Sequence, residues 1–368
     1  MSAVNLINSR SELQASEMFF IVGSGRCGTN MLRKMLVQHP AIRIMVETHF
    51  YPVLLDRFGT EPVSFAEFMD VVDEHLGSNG RRWMEVIVTI EGLDLKAFRD
   101  FVQQERTANP VRPIVGHVKA LSRFLYSDSH YVCGDKTPHY GLHVMELEQI
   151  FPGCRFIHLK RNGVFAARSM LSHPGFVKMI NGIQSGILSI NDIVRCHYRG
   201  ELQRLSCAPV RIEQVADFWS RLISATEASL ARISRDRVLE VRYEELVTDP
   251  RMSLARIAQF LGVEADLQWL ARARSISQPL ALRRMTSSLS CEEYLRIFEM
   301  LGQTVKDYSY TLADYDIYAT QEVSISDLRR LPGEWTRTKF QTLQSRAKVS
   351  VKRFLRSSRA NQQPRIAK

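Results

Sequence analysis

The sequence predicts one α/β domain whose core is a parallel β-sheet flanked by helices. Three observations lead to this prediction. The strand-like run Met18–Val22 continues through a glycine-rich loop at 23–28 into a helical pattern. Strand-like and helix-like runs then alternate along the chain, as in parallel sheets, whose crossover connections are usually helical. The composition, 45% hydrophobic and 24% charged, is that of a folded globular protein.

The individual elements follow in chain order. The helix after the loop is predicted over 29–38, because Met31, Leu32, Met35 and Leu36 recur at helical spacing. Further strands are predicted at 42–45, at the run that ends in 133–138, at 155–161 and at 238–243. Further helices are predicted at 141–151, from 164 onward, around 215–223, at 252–261 with Gly262 as the stop, and at 294–305.

The predicted domain takes up residues 1–330. Within it, 48–130 and 171–210 are expected to lie on the substrate side of the sheet. The first segment is largely helical from 64 to 127, and the second has no clear period. Residues 331–368 are predicted to form a separate, basic and amphipathic C-terminal extension.

The net charge of +10 would suit a nucleic-acid partner, but its distribution argues against one. Ten Lys and Arg and no acidic residue lie between Trp335 and Lys368, so the other 39 basic residues balance the 39 acidic ones. An apolar stripe at helical spacing runs through this extension: Phe340, Leu343, Ala347, Val351 and Phe354. Residues 335–356 are therefore expected to contact an anionic membrane surface, or else the protein's own body or a second subunit of a homodimer.

The sequence predicts neither a metal site nor a membrane-spanning segment. The six cysteines show no Cys-x-x-Cys pair and no zinc-site spacing, so no metal is expected. No apolar run approaches the ~20 residues that span a bilayer, and no basic-then-apolar leader opens the sequence. A cytoplasmic location is expected, peripheral to the inner face of the membrane if the extension binds lipid.

The loop at 23–28 is suited to hold an anion. Its consecutive backbone N–H groups and the following helix N-terminus favour a phosphate. The spacing of its outer glycines resembles the Walker pattern of P-loop proteins, but Thr29 and Asn30 stand where an ATP or GTP enzyme has Lys and Ser or Thr. The cation of the loop is instead Arg26. A tight turn without a ligand is the alternative interpretation.

A second anion site is indicated where the strand at 155–161 ends. Arg161 closes this strand, and Ser169 follows about two helical turns later. A guanidinium and a hydroxyl in this arrangement could bind a separate phosphate. The alternative is a surface ion pair and an unrelated helix hydroxyl.

Three segments in this order resemble the sulfotransferases that use 3′-phosphoadenylyl sulfate. The stretch Gly23–Asn30 looks like the family's 5′-phosphosulfate loop, and Leu159–Ser169 looks like its 3′-phosphate motif. The stretch Val241–Pro250, followed by Phe260-Leu-Gly262, is similar to a third segment of the family. Within this family, the resemblance is closer to protein-tyrosine and carbohydrate sulfotransferases, because further motifs look like theirs: His39–Thr48, Lys136-Thr-Pro138, Phe151-Pro152 and Trp219. The fold implied is the P-loop-like sulfotransferase fold.

The resemblance also implies roles for single residues. The 5′-phosphate would be held by the backbone amides of Cys27, Gly28, Thr29 and Asn30. Arg26 would contact the phosphosulfate, and Arg161 and Ser169 would hold the 3′-phosphate. Tyr243 would lie next to the adenine. With Gly25, these residues form the expected nucleotide-binding set. Glu47 matches the position of the general base in tyrosylprotein sulfotransferases, and Lys136 matches the lysine that stabilises the sulfuryl group.

Physical chemistry supports these catalytic roles. An acceptor hydroxyl loses its proton as it attacks sulfur, which a carboxylate can accept, and Glu47 follows a predicted strand end at the usual functional edge of an α/β sheet. A sulfuryl group carries one negative charge, so Arg26 and Lys136 could stabilise the transition state without a metal. His49, His117 and His139 are rival bases, and Glu47 could instead be a helix N-terminal carboxylate. Ser275 and Ser277 both remain open as a sulfuryl-contacting serine.

The sequence thus predicts an enzyme that moves a sulfuryl group from 3′-phosphoadenylyl sulfate to the hydroxyl of a carbohydrate, lipid, small molecule or tyrosine. A nucleotide-dependent kinase is the first alternative, disfavoured by Thr29 at the Walker lysine position. A non-catalytic nucleotide-binding protein is the second. The joint presence of Glu47, Arg26 and Lys136 argues against it.

Overall fold

The computed structural model describes residues 18–76, 82–83, 86–87, 94–103, 110–126, 131–184, 186, 188–276 and 289–310. The extension predicted at 331–368 lies outside these residues. Its membrane or subunit contact, and with it the cytoplasmic location, stay predictions.

The described elements alternate between strands and helices. The strands are β1 (Met18–Val22), β2 (Ile42–Val46), β3 (Val63–Ser64), β4 (Arg82–Trp83), β5 (Val86–Ile87), β6 (Val111–Arg112), β7 (Val132–Lys136), β8 (Arg155–Lys160) and β9 (Val238–Arg242). The helices are α1 (Thr29–Leu36), α2 (Tyr51–Phe58), α3 (Phe65–Leu76), α4 (Leu95–Gln103), α5 (Ile114–Tyr126), α6 (Val144–Ile150), α7 (Gly163–Leu171), α8 (Pro174–Gln184), α9 (Ile190–Tyr198), α10 (Ile212–Leu230), α11 (Tyr243–Thr248), α12 (Pro250–Leu261), α13 (Leu267–Ile276) and α14 (Cys291–Asp307).

Five parallel strands form the central sheet in the order β2-β7-β1-β8-β9. After β1, the chain first forms β2 on one side of this central strand and later forms β8 on its other side. Ligands of open α/β sheets bind outside the carboxyl ends of the strands at such a reversal of direction. The predicted parallel sheet flanked by helices is confirmed, and this order places the loop after β1 at the centre of the functional edge.

The central strand is completely buried, which is typical of a parallel sheet covered on both faces. All five residues of β1 are at most 4% exposed. The ring of Phe20 packs against four other rings, with centroids 5.6 to 6.2 Å away: Tyr51, Tyr140, Phe151 and Phe156. The aromatic cluster ties the first βα unit to the strand that carries the second predicted anion site.

One helix boundary differs from the sequence-based expectation because a helix-capping residue sets it. The helix predicted from Met252 begins at Pro250, because the side chain of Asp249 accepts a hydrogen bond from the Arg251 N–H and caps it. Gly262 ends it with φ of 75°, as expected. Residues 64–127 contain helices, but also strand residues of the antiparallel pairs β3–β6 and β4–β5, whose two-residue strands are too short to show a period.

The unassigned segment 171–210 is mostly helical. Helices α8 and α9 fill it, and α9 begins with a capping box in which Ser189 and Asp192 exchange hydrogen bonds. Cys27, Cys133, Cys154, Cys196 and Cys207 are unbridged. Among the described residues, no helix has the length and apolarity to cross a membrane.

The packing of Gly134 against Phe19 leads to a stability prediction. A Cβ at Gly134 would lie 2.4 Å from the Phe19 ring, in the middle of the sheet. We expect Gly134→Ala to lower the free energy of unfolding by about 2 kcal/mol, because overpacking a rigid core forces neighbouring groups to move. Gly116→Ala in α5 is the control, since its Cβ would meet only the flexible side chain of Arg112. Urea unfolding that showed equal stability for both variants would contradict the prediction.

Candidate functional site

The loop after β1 has the backbone of an anion cradle. Gly25, Arg26 and Gly28 have φ values of 70°, 52° and 96°, and Gly28 is the N-cap of α1. Left-handed backbone is disfavoured for a residue with a side chain, so Arg26 adopts it only because its surroundings hold it there. Thr29 is the first residue of α1, and no acidic residue lies in the first turn. The helix therefore offers its positive end at the loop.

Contacts with distant segments hold this loop. The Gly23 N–H donates to the carbonyl of Pro138 at 2.9 Å. The guanidinium of Arg161 donates to the carbonyl of Arg26, and Arg26 Nε donates to Ser169 Oγ at 3.1 Å. Burial, followed by the nearby positive charge of Arg161, lowers the pKa of Arg26. The two anion sites predicted separately from the sequence are thus one continuous basic site.

The ring of Tyr243 forms a wall of the same site. The guanidinium carbon of Arg161 lies 4.7 Å from the centre of this ring, a cation–π contact. A Cβ at Gly28 would lie 2.3 Å from Tyr243 Cδ2, so only glycine fits between the ring and the helix. Burial raises the pKa of Tyr243 and keeps its phenol protonated. The predicted adenine neighbour therefore lies beside the loop.

Buried hydrogen bonds connect Tyr243 to the rest of the fold. The next residue, Glu244, accepts from the Asn162 N–H at 3.1 Å and from the Tyr310 hydroxyl at 2.6 Å. The Asn162 amide donates to the Tyr294 hydroxyl at 2.9 Å, and its oxygen caps α7. The 3′-phosphate motif, the segment after β9 and the region near 290–310 are thus joined in one network.

Glu47 and Lys136 meet where β2 and β7 end side by side. The Glu47 N–H donates to the Lys136 carbonyl at 3.0 Å, and the two side chains form an ion pair. The Lys136 side chain is 1% exposed and that of Glu47 is 26% exposed, so the carboxylate is the accessible partner. The alternative of a helix N-terminal carboxylate is wrong, because α2 begins at Tyr51 with no acidic residue in its first turn.

A buried polar network lies directly beneath this ion pair. Thr137 Oγ1 donates to Asp135 Oδ1 at 2.6 Å, and the hydroxyl groups of Thr48 and Tyr140 are 2.8 Å apart. Burial raises the pKa of Asp135 to about 7. The network positions the residues that directly follow Glu47 and Lys136. Sequence reasoning missed Asp135 and Thr48, although each directly adjoins a residue that it singled out.

Imidazole rings surround the accessible side of the site. The His197 ring lies 4.6 Å from His49 and 6.1 Å from His139, and Phe176 lies between 5 and 6 Å from His139 and His173. Burial lowers the pKa of His139 to about 4 and also lowers the pKa values of His173 and His197. These rings are therefore neutral at pH 7. Sequence reasoning missed His173 and His197 because the segment 171–210 showed no clear period.

His117 and Ser275 have structural roles. The ring of His117 stacks on Phe68 at 5.0 Å, and its Nε2 lies 2.9 Å from the Val63 carbonyl, so this rival base packs within the α3 and α5 layer. Ser275 donates to the carbonyl of Arg272 at 2.7 Å, at the exposed end of α13. Ser277 lies outside the described residues.

One group of potential metal ligands already surrounds a cation. His158, Glu227 and Glu240 have ligand atoms within 4.8 Å of one another. Lys160 Nζ lies 3.1 Å from Glu227 Oε1 and 2.8 Å from Glu240 Oε1. The lysine ammonium therefore pairs with both carboxylates, and the group is best described as a partly exposed ion-pair cluster.

Known proteins that are similar to this chain are sulfotransferases. A sequence model described as "Sulfotransferase family" matches residues 19–267. Protein-tyrosine sulfotransferase 2 of Gallus gallus is 24% identical over 267 residues, which are 71% of this chain and 55% of that protein. Protein-tyrosine sulfotransferase A of Caenorhabditis elegans is 22% identical over 275 residues, which are 75% of this chain and 57% of that protein. This chain thus spans little more than half the length of these relatives.

Solved structures add one further comparison. The sulfotransferase domain from the Synechococcus PCC 7002 olefin synthase is 22% identical, with a TM-score of 0.46 over 80% of this chain and 94% of that domain. The fold assignment stands on the strand order and on the family match.

The buried Asp135 carboxyl leads to a prediction about pH. Its pKa is 3.8 as an ordinary carboxyl and about 7 in the fold, so the folded chain binds more protons than the unfolded chain between about pH 4 and 7. Ionisation of Asp135 therefore removes stability as the pH rises through this window. Asp135→Asn removes this contribution while the histidine contributions cancel in the comparison.

We expect the free energy of unfolding of wild type, minus that of Asp135→Asn, to fall between about pH 4 and 7 in urea titrations and to level off above pH 7. Asp217→Asn, at an exposed ion pair on α10, is the control and should show a constant difference. A constant difference for Asp135→Asn as well would mean that Asp135 has an ordinary pKa in the folded protein.

Proposed function

Because the chain belongs to the sulfotransferase family, we propose that it moves a sulfuryl group from 3′-phosphoadenylyl sulfate to an acceptor hydroxyl and releases adenosine 3′,5′-bisphosphate. The observation that carries the proposal is the joined basic site, in which Arg161 bonds the Arg26 carbonyl and Arg26 bonds Ser169. Two anion-binding elements in direct contact suit a nucleotide with phosphates at both its 5′ and 3′ positions.

The residues present fit such a nucleotide. Glycines at 25 and 28 let the backbone turn its amides toward a 5′-phosphate, and the N-terminus of α1 adds positive potential. Arg161 and Ser169, which both contact Arg26, would bind the 3′-phosphate that distinguishes this donor from ATP. Tyr243 offers a flat ring beside them for the base.

The proposed chemistry is an in-line transfer. Glu47 accepts the proton of the acceptor hydroxyl as the new oxygen–sulfur bond forms. The bond between sulfur and the 5′-phosphate oxygen breaks at the same time, and the electron pair stays on that oxygen. Lys136 and Arg26 stabilise the negative charge that develops there, so the proposal uses no metal. The ion pair with buried Lys136 also holds the Glu47 carboxylate at the accessible edge.

The acceptor side of the proposed site is lined by uncharged groups. His139, His173 and His197, with Phe176, surround the approach to Glu47, and burial lowers the pKa of each of these histidines so that they add no charge at pH 7. This lining suits a hydroxyl on a neutral or aromatic group. His49 and His139 are the remaining rival bases, and the low pKa of His139 leaves that ring neutral and able to accept a proton.

Glu47→Gln is expected to lower turnover at least a thousandfold while bisphosphate affinity changes less than threefold, because the amide cannot accept the proton. Transfer of radiolabelled sulfate and calorimetric titration measure the two quantities. Glu245→Gln, exposed on α11, is the matched control. If Glu47→Gln kept near-normal turnover and His139→Gln lost it, His139 would be the base.

Arg161→Ala is expected to weaken adenosine 3′,5′-bisphosphate binding about 10- to 100-fold, the usual size of a charged hydrogen bond lost. Adenosine 5′-monophosphate should bind the wild type at least tenfold more weakly than the bisphosphate, and the two should bind Arg161→Ala about equally. Arg221→Ala, in an exposed ion pair, is the control. Preference of the wild type for magnesium-ATP would favour the kinase alternative and overturn the proposal.

A further inference from the structure

The segment 289–310 lies outside the residues 19–267 that match the sulfotransferase family. It contains α14 and the few residues that follow it. Three of its tyrosines, Tyr294, Tyr308 and Tyr310, are at most 1% exposed. A buried tyrosine hydroxyl usually has a hydrogen-bond partner, so the partners of these three hydroxyls show what the segment holds in place.

Cations at the ends of two strands bring this segment to the nucleotide site. The guanidinium carbon of Arg242, the last residue of β9, lies 4.3 Å from the centre of the Tyr310 ring. Lys160 Nζ, at the end of β8, lies 4.9 Å from the centre of the Tyr308 ring. Both contacts are cation–π contacts. The segment therefore packs at the carboxyl ends of β8 and β9, directly before the arginine and the tyrosine that stack in the nucleotide site.

The buried carboxylate of Glu244 receives one of these hydroxyls. The Tyr310 hydroxyl donates to Glu244 Oε2 at 2.6 Å, and the Asn162 N–H donates to Glu244 Oε1 at 3.1 Å. Burial raises the pKa of Glu244, and the hydrogen bonds from Tyr310 and Asn162 oppose this rise. Tyr310 therefore favours the charged carboxylate and fixes its orientation toward Asn162.

This carboxylate holds Arg161 from two sides. The Asn162 N–H and the Arg161 carbonyl belong to the same planar peptide unit, so a bond to that N–H also fixes the backbone of Arg161. The Arg161 guanidinium stacks on the ring of Tyr243, which directly precedes Glu244 in the chain. The backbone of the arginine and the residue under its side chain are thus tied to one buried group.

A second tyrosine of the segment holds the same strand end. Asn162 Nδ2 donates to the Tyr294 hydroxyl at 2.9 Å. Asn162 Oδ1 accepts from the Val164 N–H at 3.0 Å and caps α7, the helix that carries Ser169. Tyr294 thus fixes the Asn162 side chain, whereas Tyr310 acts through the backbone of the same residue.

We propose that Tyr294 and Tyr310 are positioning residues for recognition of the 3′-phosphate, because they fix the groups that set the place of Arg161. The inference rests on the proposed function, in which Arg161 binds that phosphate. Tyr308 is the matched control. It is equally buried in the same segment, but its hydroxyl lies 3.1 Å from His158 Nε2.

The test replaces each tyrosine by phenylalanine and titrates the full-length protein calorimetrically with adenosine 3′,5′-bisphosphate and adenosine 5′-monophosphate. Tyr310→Phe and Tyr294→Phe should each weaken bisphosphate binding about 5- to 20-fold, because each removes one bond of the network behind Arg161. Monophosphate binding should change less than about threefold, since the Tyr243 ring stays packed against Gly28. Tyr308→Phe should leave both affinities within about twofold of the wild type. Circular dichroism and the unfolding midpoint check that each variant is folded.

A double variant tests whether Tyr310 acts through Arg161. Tyr310→Phe added to Arg161→Ala should change bisphosphate affinity less than about twofold, because the positioned group is already absent. Two residues that act independently would instead give additive losses.

Three results would overturn the inference while leaving the proposed function intact. They are an unchanged preference of Tyr310→Phe and Tyr294→Phe for the bisphosphate, equal weakening of both nucleotides, and additive losses in the double variant. Equal losses in Tyr308→Phe and Tyr310→Phe would likewise show that the tyrosines only stabilise the fold. A wild type that bound both nucleotides equally would contradict the proposed function and this inference together.

Discussion

The geometry of the site depends on the hydrogen bond from the Arg161 guanidinium to the Arg26 carbonyl. The bond joins residues 135 positions apart and holds a loop in which a residue other than glycine has positive φ. Such a backbone costs on the order of 1 to 3 kcal/mol and persists only where the surroundings compensate for it. The ring of Tyr243 and the buried carboxyl of Glu244 keep Arg161 and its strand end in position. The geometry of the loop is therefore held by contacts within the chain itself.

The register of the parallel sheet explains why Glu47 meets Lys136. Strands β2 and β7 end side by side. The hydrogen bond from the Glu47 N–H to the Lys136 carbonyl extends the pairing of these strands by one residue. Beneath them, Asp135, Thr48 and Thr137 are buried and polar, so each position is fixed by hydrogen bonds as well as by packing. Because Lys136 is buried and Glu47 is partly exposed, their ion pair orients the Glu47 carboxylate toward the accessible side of the site.

The distribution of charge around the site is equally specific. Burial lowers the pKa values of His139, His173 and His197, so the rings around Glu47 stay neutral. Positive charge is then concentrated on Arg26, Arg161 and Lys136, where the anionic groups of the proposed donor would lie.

Local sequence by itself determined the strand–loop–helix unit at 18–36, the other strands of the central sheet, and the residue types of both anion sites, because backbone preference and hydrophobic periodicity act over short distances. It also pointed to Glu47 and Lys136 through a family resemblance. Only the tertiary structure decided that Arg26, Arg161, Ser169 and Tyr243 touch one another, that Asp135 lies beneath the ion pair, and that His173 and His197 join the site. The physical reason is that contacts between distant residues follow from strand order and packing, which no local pattern specifies.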